Sequence, residues 1–245
     1  MRNLPKGKTW GLMVGWFPLL VGCAISPVEE TTENTQAPIT NGYSINNEGS
    51  GHVALVRYSD AWTYCSGVLM TNNKVLTAKH CVDDWVAGES YVKMGSQYAW
   101  ITAVSLKSDF DVAMLKLAPA LSMNGSTTGY SRPIYSGTNA SLNSTTTYCS
   151  GHGPGGAGFP PLRWGYFNTT FADGYNPSTE LHIWKNGAGQ LPQGGDSGAG
   201  CATFVGPDGP VTMIQSGCFY SPLYMCYGPG AESWRAWAQF LIVLW

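Results

Sequence analysis

Apolar and polar positions change in short bursts along this chain rather than in long helical stripes. Val53 to Tyr58, Gly67 to Met70, Val75 to Leu76, Tyr91 to Met94, Ala99 to Leu106 and Val112 to Leu117 are brief apolar or alternating runs. Leu162 to Asn168, Glu180 to Trp184, Ala199 to Val205 and Val211 to Ser216 continue the pattern. Runs of this kind, bounded by turn residues, predict strands. Thr71-Asn72-Asn73, Ala172-Asp173-Gly174 and Gly206-Pro207-Asp208-Gly209 supply the turns. Only Ala231 to Trp245 combines a lack of Gly and Pro with apolar residues, Trp234, Trp237, Phe240 and Leu241, that recur at helical spacing. Ten strands followed by one terminal helix imply an all-β fold of one or two closed barrels.

Composition narrows the function. Charged residues make up 11% of the chain, against roughly 25% in an average soluble domain. Hydrophobic residues make up 44%, too many for a disordered chain. With net charge −2 and only 13 basic residues, there is no cluster of Lys and Arg to hold phosphates, so nucleic acid is set aside as a partner.

The first 38 residues follow a different logic. Arg2, Lys6 and Lys8 precede an uncharged apolar run from Trp10 to Gly22. That run is shorter than the roughly 20 residues needed to span a bilayer core, and the layout is that of a secretory signal peptide. It ends in Leu20-Val21-Gly22-Cys23, which resembles the bacterial lipobox. The resemblance implies acylation of Cys23 and an exported lipoprotein anchored to a bacterial membrane, at the outer membrane or cell surface. Residues 1–22 are thus expected to be a signal, residues 23–38 an acidic, Pro-bounded tether or propeptide, and residues 39–245 the folded domain.

Export bears on the cysteines. With Cys23 committed to lipid, six remain: Cys65, Cys81, Cys149, Cys201, Cys218 and Cys226. An even number in an oxidising compartment predicts disulfides, although spacing alone cannot choose the pairing. No Cys-x-x-Cys pair exists and the four His are scattered, so neither a metal nor another cofactor is expected.

Three segments carry chemistry. Gln193-Gly194-Gly195-Asp196-Ser197-Gly198-Ala199-Gly200 sets a serine among glycines, where a substrate carbonyl can approach the main chain and converging N–H groups. Leu76-Thr77-Ala78-Lys79-His80-Cys81 puts an imidazole after a strand. Asp109-Phe110-Asp111-Val112 puts carboxylates at the entry to another. Each alone reads as a loop, a structural histidine or a turn residue.

Together, in the order His, Asp, Ser, they resemble the trypsin/chymotrypsin serine proteases, with Lys79 and Ala199 as mild departures from the family motifs. The resemblance covers residues 39–245. It implies two six-stranded antiparallel barrels of the chymotrypsin type with a C-terminal helix, and an active site in the cleft between them. It also implies a serine endopeptidase acting on polypeptides as a monomer. His80 is then the general base, Asp111 rather than Asp109 its orienting carboxylate, and Ser197 the nucleophile. The amides of Gly195 and Ser197 form the oxyanion hole. A serine hydroxyl needs such a base to become nucleophilic. The same resemblance implies the disulfides Cys65–Cys81 and Cys149–Cys201, and leaves Cys218 with Cys226. Two further family bridges have no counterpart.

For specificity, the resemblance puts Leu191 at the pocket floor and Gln215-Ser216-Gly217 on the far wall. No carboxylate awaits a basic side chain there, so an apolar residue before the scissile bond is expected. Family zymogens mature by cleavage before an apolar residue whose ammonium pairs with the Asp next to the nucleophile. Here those positions are Ile39 and Asp196. Pro38 precedes the cut, so an activating protease that is not trypsin-like, or the enzyme itself, would cut there, and cleavage would release the chain from its lipid anchor. Two other functions fit the same residues: a lipid-anchored protease-like binding protein held as an inactive zymogen, and an esterase using the same triad.

Overall fold

The computed structural model describes residues 39–155, 160–172, 180–203, 206–219 and 223–245. The signal segment, Cys23 and the tether lie outside the described residues, as do Asp173 and Gly174 of one expected turn and Val205 of one expected strand.

Strand β1 (Tyr43–Ser44) precedes six strands that form the first half: β2 (His52–Arg57), β3 (Trp62–Thr71), β4 (Lys74–Thr77), β5 (Ser90–Met94), β6 (Gln97–Leu106) and β7 (Ala113–Ala118). They close into an antiparallel barrel in the order β2-β3-β4-β7-β6-β5. Alternation places the side chains: in β5, Ser90, Val92 and Met94 are buried while Tyr91 and Lys93 are half-exposed. Val53, Leu55, Leu69, Val92, Ile101 and Leu115 belong to the cluster that fills the barrel.

The second half contains β8 (Thr146–Gly151), β9 (Arg163–Phe171), β10 (Leu181–Trp184), β11 (Gly200–Thr203), β12 (Val211–Ile214), β13 (Gly217–Phe219) and β14 (Met225–Gly228). Their order is β12-β11-β8-β9-β10-β14-β13, with β1 added on β9. This curled sheet does not close by strand pairing as the first does. Its ends meet at an isolated bridge between Met213 and Gly230. Pro229 has no N–H to extend a ladder there, although its carbonyl accepts from the Ile214 amide at 3.4 Å.

Strands β1, β8, β13 and β14 have no counterpart among the ten expected ones. Strand β8, Thr-Thr-Tyr-Cys-Ser-Gly, carries almost no apolar signal; it is a strand because β9 and β11 pair with it on either side.

Helix α1 (Ala231–Leu244) forms where helical spacing predicts it. Trp234 and Ala238, one turn apart, pack with Val68, Met70, Leu76 and Ile214, so the helix seals a layer shared by both halves. Phe240 departs from the expected stripe and is 60% exposed. Six residues beyond Trp234 is about 240° around the helix, well off the buried face.

Candidate active site

Strand β4 pairs with β7 in a register that sets Thr77 opposite Ala113. The residues just after one strand and just before the other are therefore neighbours. His80 lies in the 3₁₀ turn Lys79–Cys81 that follows β4, and Asp111 lies two residues before β7. The disulfide Cys65–Cys81 ties that turn to β3.

Asp111 grips His80 twice: the His80 amide donates to Oδ1 at 2.9 Å, and Nδ1 lies 2.8 Å from Oδ2. A carboxylate accepting at Nδ1 keeps the proton on that nitrogen in the neutral ring and leaves Nε2 as a base. Burial alone would raise Asp111, but the ring bond, the charge and the amide of His80 hold its carboxyl below the usual value. The buried Ser216 hydroxyl acts in the same direction without completing a well-formed hydrogen bond. Asp109, the rejected alternative, has its side chain 68% exposed and pairs with Lys107 at 3.1 Å.

Ser197 comes from the second half, in the turn that leads into β11. Gly195 and Gly198 flank it with φ of 83° and 84°. A Cβ at Gly195 would run into the Pro154 nitrogen, and one at Gly198 into the Thr77 hydroxyl and the Ser66 carbonyl. Only glycine meets both demands. The Asp196 amide donates to the Gln193 carbonyl at 3.0 Å and the Gly198 amide to the Gln215 carbonyl at 2.7 Å. Among the described residues, the alternating Gly195 and Ser197 amides donate to no protein acceptor. The Ser197 hydroxyl itself donates to the Ser216 carbonyl at 3.3 Å.

Asp196 is fully buried and points away from the serine. It accepts from the amides of Ile39 (3.0 Å), Gln193 (2.8 Å) and Gly153 (2.8 Å). Burial pushes its carboxyl up to about 6, against the opposing pull of these three donors. Ile39 is itself fully buried in the second-half core, with φ of 28°, which is strained for a β-branched residue.

The four residues expected around a specificity pocket separate. Leu191 packs with Ile39 and Phe167, and its carbonyl accepts from the Thr40 amide at 2.9 Å. Ser216 sits at the His–Asp–Ser group rather than on a far wall, and Gln215 holds the Gly198 amide beside it. Gly217 faces Tyr227 across β13 and β14, and a Cβ there would meet the Tyr227 ring. Tyr227 had no signal in the sequence, yet the Asp111 charge reaches it: burial first, then that charge, raises its hydroxyl.

The remaining disulfides are Cys149–Cys201, across β8 and β11, and Cys218–Cys226, across β13 and β14. Three disulfides suit an oxidising, extracellular setting. Cys65, His80 and Cys81 bring three potential metal-ligand atoms close together, but both sulfurs are engaged with each other. His152 is buried between the halves and held down to about 4, chiefly by burial.

A family model described as Trypsin matches residues 39–173. Hypodermin-A of Hypoderma lineatum is 35% identical over an alignment of 80 residues, with 26% of this chain and 31% of that protein's length covered. Among solved structures, HL collagenase superposes with a TM-score of 0.66 at 18% identity, covering 84% of this chain and 99% of that one. Human heparin binding protein gives 0.64 at 18% identity, covering 82% and 95%. A scabies mite inactivated protease paralogue gives 0.64 at 16%, covering 83% and 100%.

Proposed function

The chain belongs to the trypsin family, and on that premise we propose that it is a serine endopeptidase working through an acyl-enzyme intermediate. The supporting observation is His80 fixed by Asp111 through both ring and amide, together with a turn in which the Gly195 and Ser197 amides donate to no acceptor among the described residues. In the reaction the Ser197 hydroxyl turns from the Ser216 carbonyl toward His80 Nε2, which takes its proton as Oγ attacks the scissile carbonyl. Asp111 stabilises the imidazolium. The Gly195 and Ser197 amides receive the oxyanion, an interaction typically worth about 10²–10³ in rate per donor. His80 then protonates the leaving amine, and water repeats the sequence to release the acyl group.

A polypeptide is the substrate, and the preference for an apolar residue before the scissile bond rests on the family resemblance alone, which puts no carboxylate at the expected pocket positions. Activation follows from Asp196. An uncut chain gives it only the Ile39 amide, whereas cleavage before Ile39 by an activating protease would supply an ammonium in the same position. That cut would also separate the domain from a lipid anchor at Cys23. N-terminal sequencing of the active species tests this: a fully active chain still beginning at Cys23 overturns it.

A binding-protein reading has its own support, because a heparin binding protein and an inactivated paralogue share the fold. This chain nevertheless retains His80, Asp111 and Ser197, with His80 bonded to Asp111 and the Ser197 hydroxyl bonded to the Ser216 carbonyl. A fluorophosphonate probe decides between the readings. Labelling at Ser197 with peptide hydrolysis supports the peptidase, labelling without it supports an esterase, and no labelling supports a binding module.

A further inference from the structure

Ser66 lies on β3, in the first barrel, yet its polar atoms serve the turn that carries Ser197. Its amide donates to the Ser197 carbonyl at 2.8 Å. Its carbonyl accepts the Thr77 hydroxyl at 2.7 Å, and so does not compete for the turn. Its own hydroxyl donates to the Gly195 carbonyl at 3.1 Å and accepts the His152 amide at 2.9 Å. The residue is fully buried, so no water replaces either partner. The next amide along, that of Gly153, donates to Asp196 at 2.8 Å. Two consecutive N–H groups of the second half thus dock on the 193–197 turn, one directly and one through the Ser66 hydroxyl.

We propose that Ser66 is a positioning residue for the oxyanion site: its hydroxyl pins the Gly195 carbonyl, and holding the Gly195–Asp196 peptide in this way limits how the preceding peptide, which carries the Gly195 amide, can turn. The proposal rests on the peptidase reading above. At φ of 83° Gly195 has no Cβ to restrict it, so its orientation depends on how the peptide after it is held, by Ser66 at the Gly195 carbonyl and by the Gln193 carbonyl at the Asp196 amide. Ser66 supplies that bond from a closed barrel, a rigid element, and the His152 amide fixes which way the hydroxyl proton points. Ser66→Ala removes one hydroxyl and leaves two buried backbone groups unpaired, the arrangement most costly to a buried hydrogen-bond network. The loosened turn would then present the Gly195 amide in the productive direction only part of the time. Because Ser66 touches neither Ser197 Oγ nor His80 in the hydrogen-bond pattern, the effect falls on transition-state stabilisation, not on proton transfer.

The experiment compares the full chain with Ser66→Ala and with the conservative Ser66→Thr. The readouts are fluorophosphonate labelling rate, kcat and KM on a chromogenic peptide, the pH profile, and the Gly195 amide resonance in a ¹⁵N-labelled sample. Ser66→Ala is expected to lose about 10–100-fold in labelling rate and kcat, less than removal of a whole oxyanion donor. KM should change by no more than about twofold, since substrate binding is unaltered. The pH profile should keep its midpoint, the Gly195 resonance should shift, and Ser66→Thr should recover most of the loss. Wild-type labelling by Ser66→Ala, or an unmoved Gly195 resonance, overturns the proposal. If the wild-type chain neither labels nor hydrolyses, the peptidase reading fails instead. The Gly195 resonance then decides the role of Ser66: a shift in Ser66→Ala but not Ser66→Thr supports it, and no shift in either overturns it. Should Ser66→Ala fail to fold, Ser66→Cys, of similar size and a much weaker donor, replaces it under the same criteria.

Discussion

The two halves of this molecule reach stability by different means. The first is a closed barrel in which every strand edge is paired and the interior is apolar, with Leu55, Leu69 and Leu115 fully buried. Closure removes unpaired edges altogether. The second is an open, curled sheet that joins its ends through one bridge. It has two of the three disulfides, the buried Asp196 with its three amide donors, and polar links such as the bond from the Asn139 side chain to Glu180 at 2.9 Å. The division matches the chemistry. The closed half supplies His80 and Asp111, which need only be held, whereas the open half supplies the turn of Ser197, which must expose amides and glycines. A chain segment that leaves N–H groups unpaired for a ligand cannot also be knitted into a closed ladder.

If the halves form one catalytic unit despite this difference, removing a group from either should cost the same. Ser197→Ala and His80→Ala are each expected to lower kcat by about 10⁶, and the double variant no further, because nucleophile and base act together. Additive losses in steady-state kinetics would break that picture. Asp111→Asn should cost about 10⁴ by misplacing the proton on His80.

Cross-links should matter more in the open half. In the chain-entropy view, losing Cys149–Cys201, which spans 52 residues, costs about 4 kcal/mol, and losing Cys65–Cys81, which spans 16, about 3 kcal/mol. Urea unfolding of paired Cys→Ala variants measures both. A larger loss from the first-half bridge would reverse the comparison.

Acid tests the seam between the halves. His52 on β2 and His152 after β8 are buried, and burial lowers both, His52 with help from the Arg132 charge. Their folded values lie below their unfolded ones, so the stability from keeping them neutral is present above about 6.5 and is lost as pH falls, in the case of His152 toward about 4. For His152 alone this amounts to roughly 3 kcal/mol. Asp196, raised to about 6, works in the opposite sense and offsets part of the loss. Unfolding free energy measured from pH 7 to 4 should therefore fall, and His152→Gln should flatten the slope. An unchanged slope would mean that His152 does not carry the effect.

The smallest effect is expected at Asp109, exposed and bonded to its neighbours Ser108 and Lys107. Asp109→Asn should leave stability and activity close to those of the wild type. A loss as large as that of Asp111→Asn would show that the wrong carboxylate has been assigned.

The sequence by itself determined the elements whose signal is local. Ten of the strands follow from apolar runs, the terminal helix from its spacing, and the three chemical motifs from adjacent residue types. The pairing of Cys65 with Cys81 and of Cys149 with Cys201 followed from the family resemblance those motifs carry. Only the tertiary structure decided what depends on partners distant in the chain. Strand β8 is polar and becomes a strand because β9 and β11 supply hydrogen bonds on both sides. Phe240 has helical spacing yet faces solvent, since the buried stripe is set by where Val68 and Ile214 lie. Ser216 joined the His–Asp–Ser group, and Tyr227 came to lie over Gly217, through strand register that no short window of sequence contains. Ser66 is the clearest case: a serine in an apolar strand whose role depends on a carbonyl 129 residues away. Local physics fixes torsion preferences and periodicity, which short stretches of chain record. Hydrogen bonds across the fold depend on distances that exist only once the two halves are packed together.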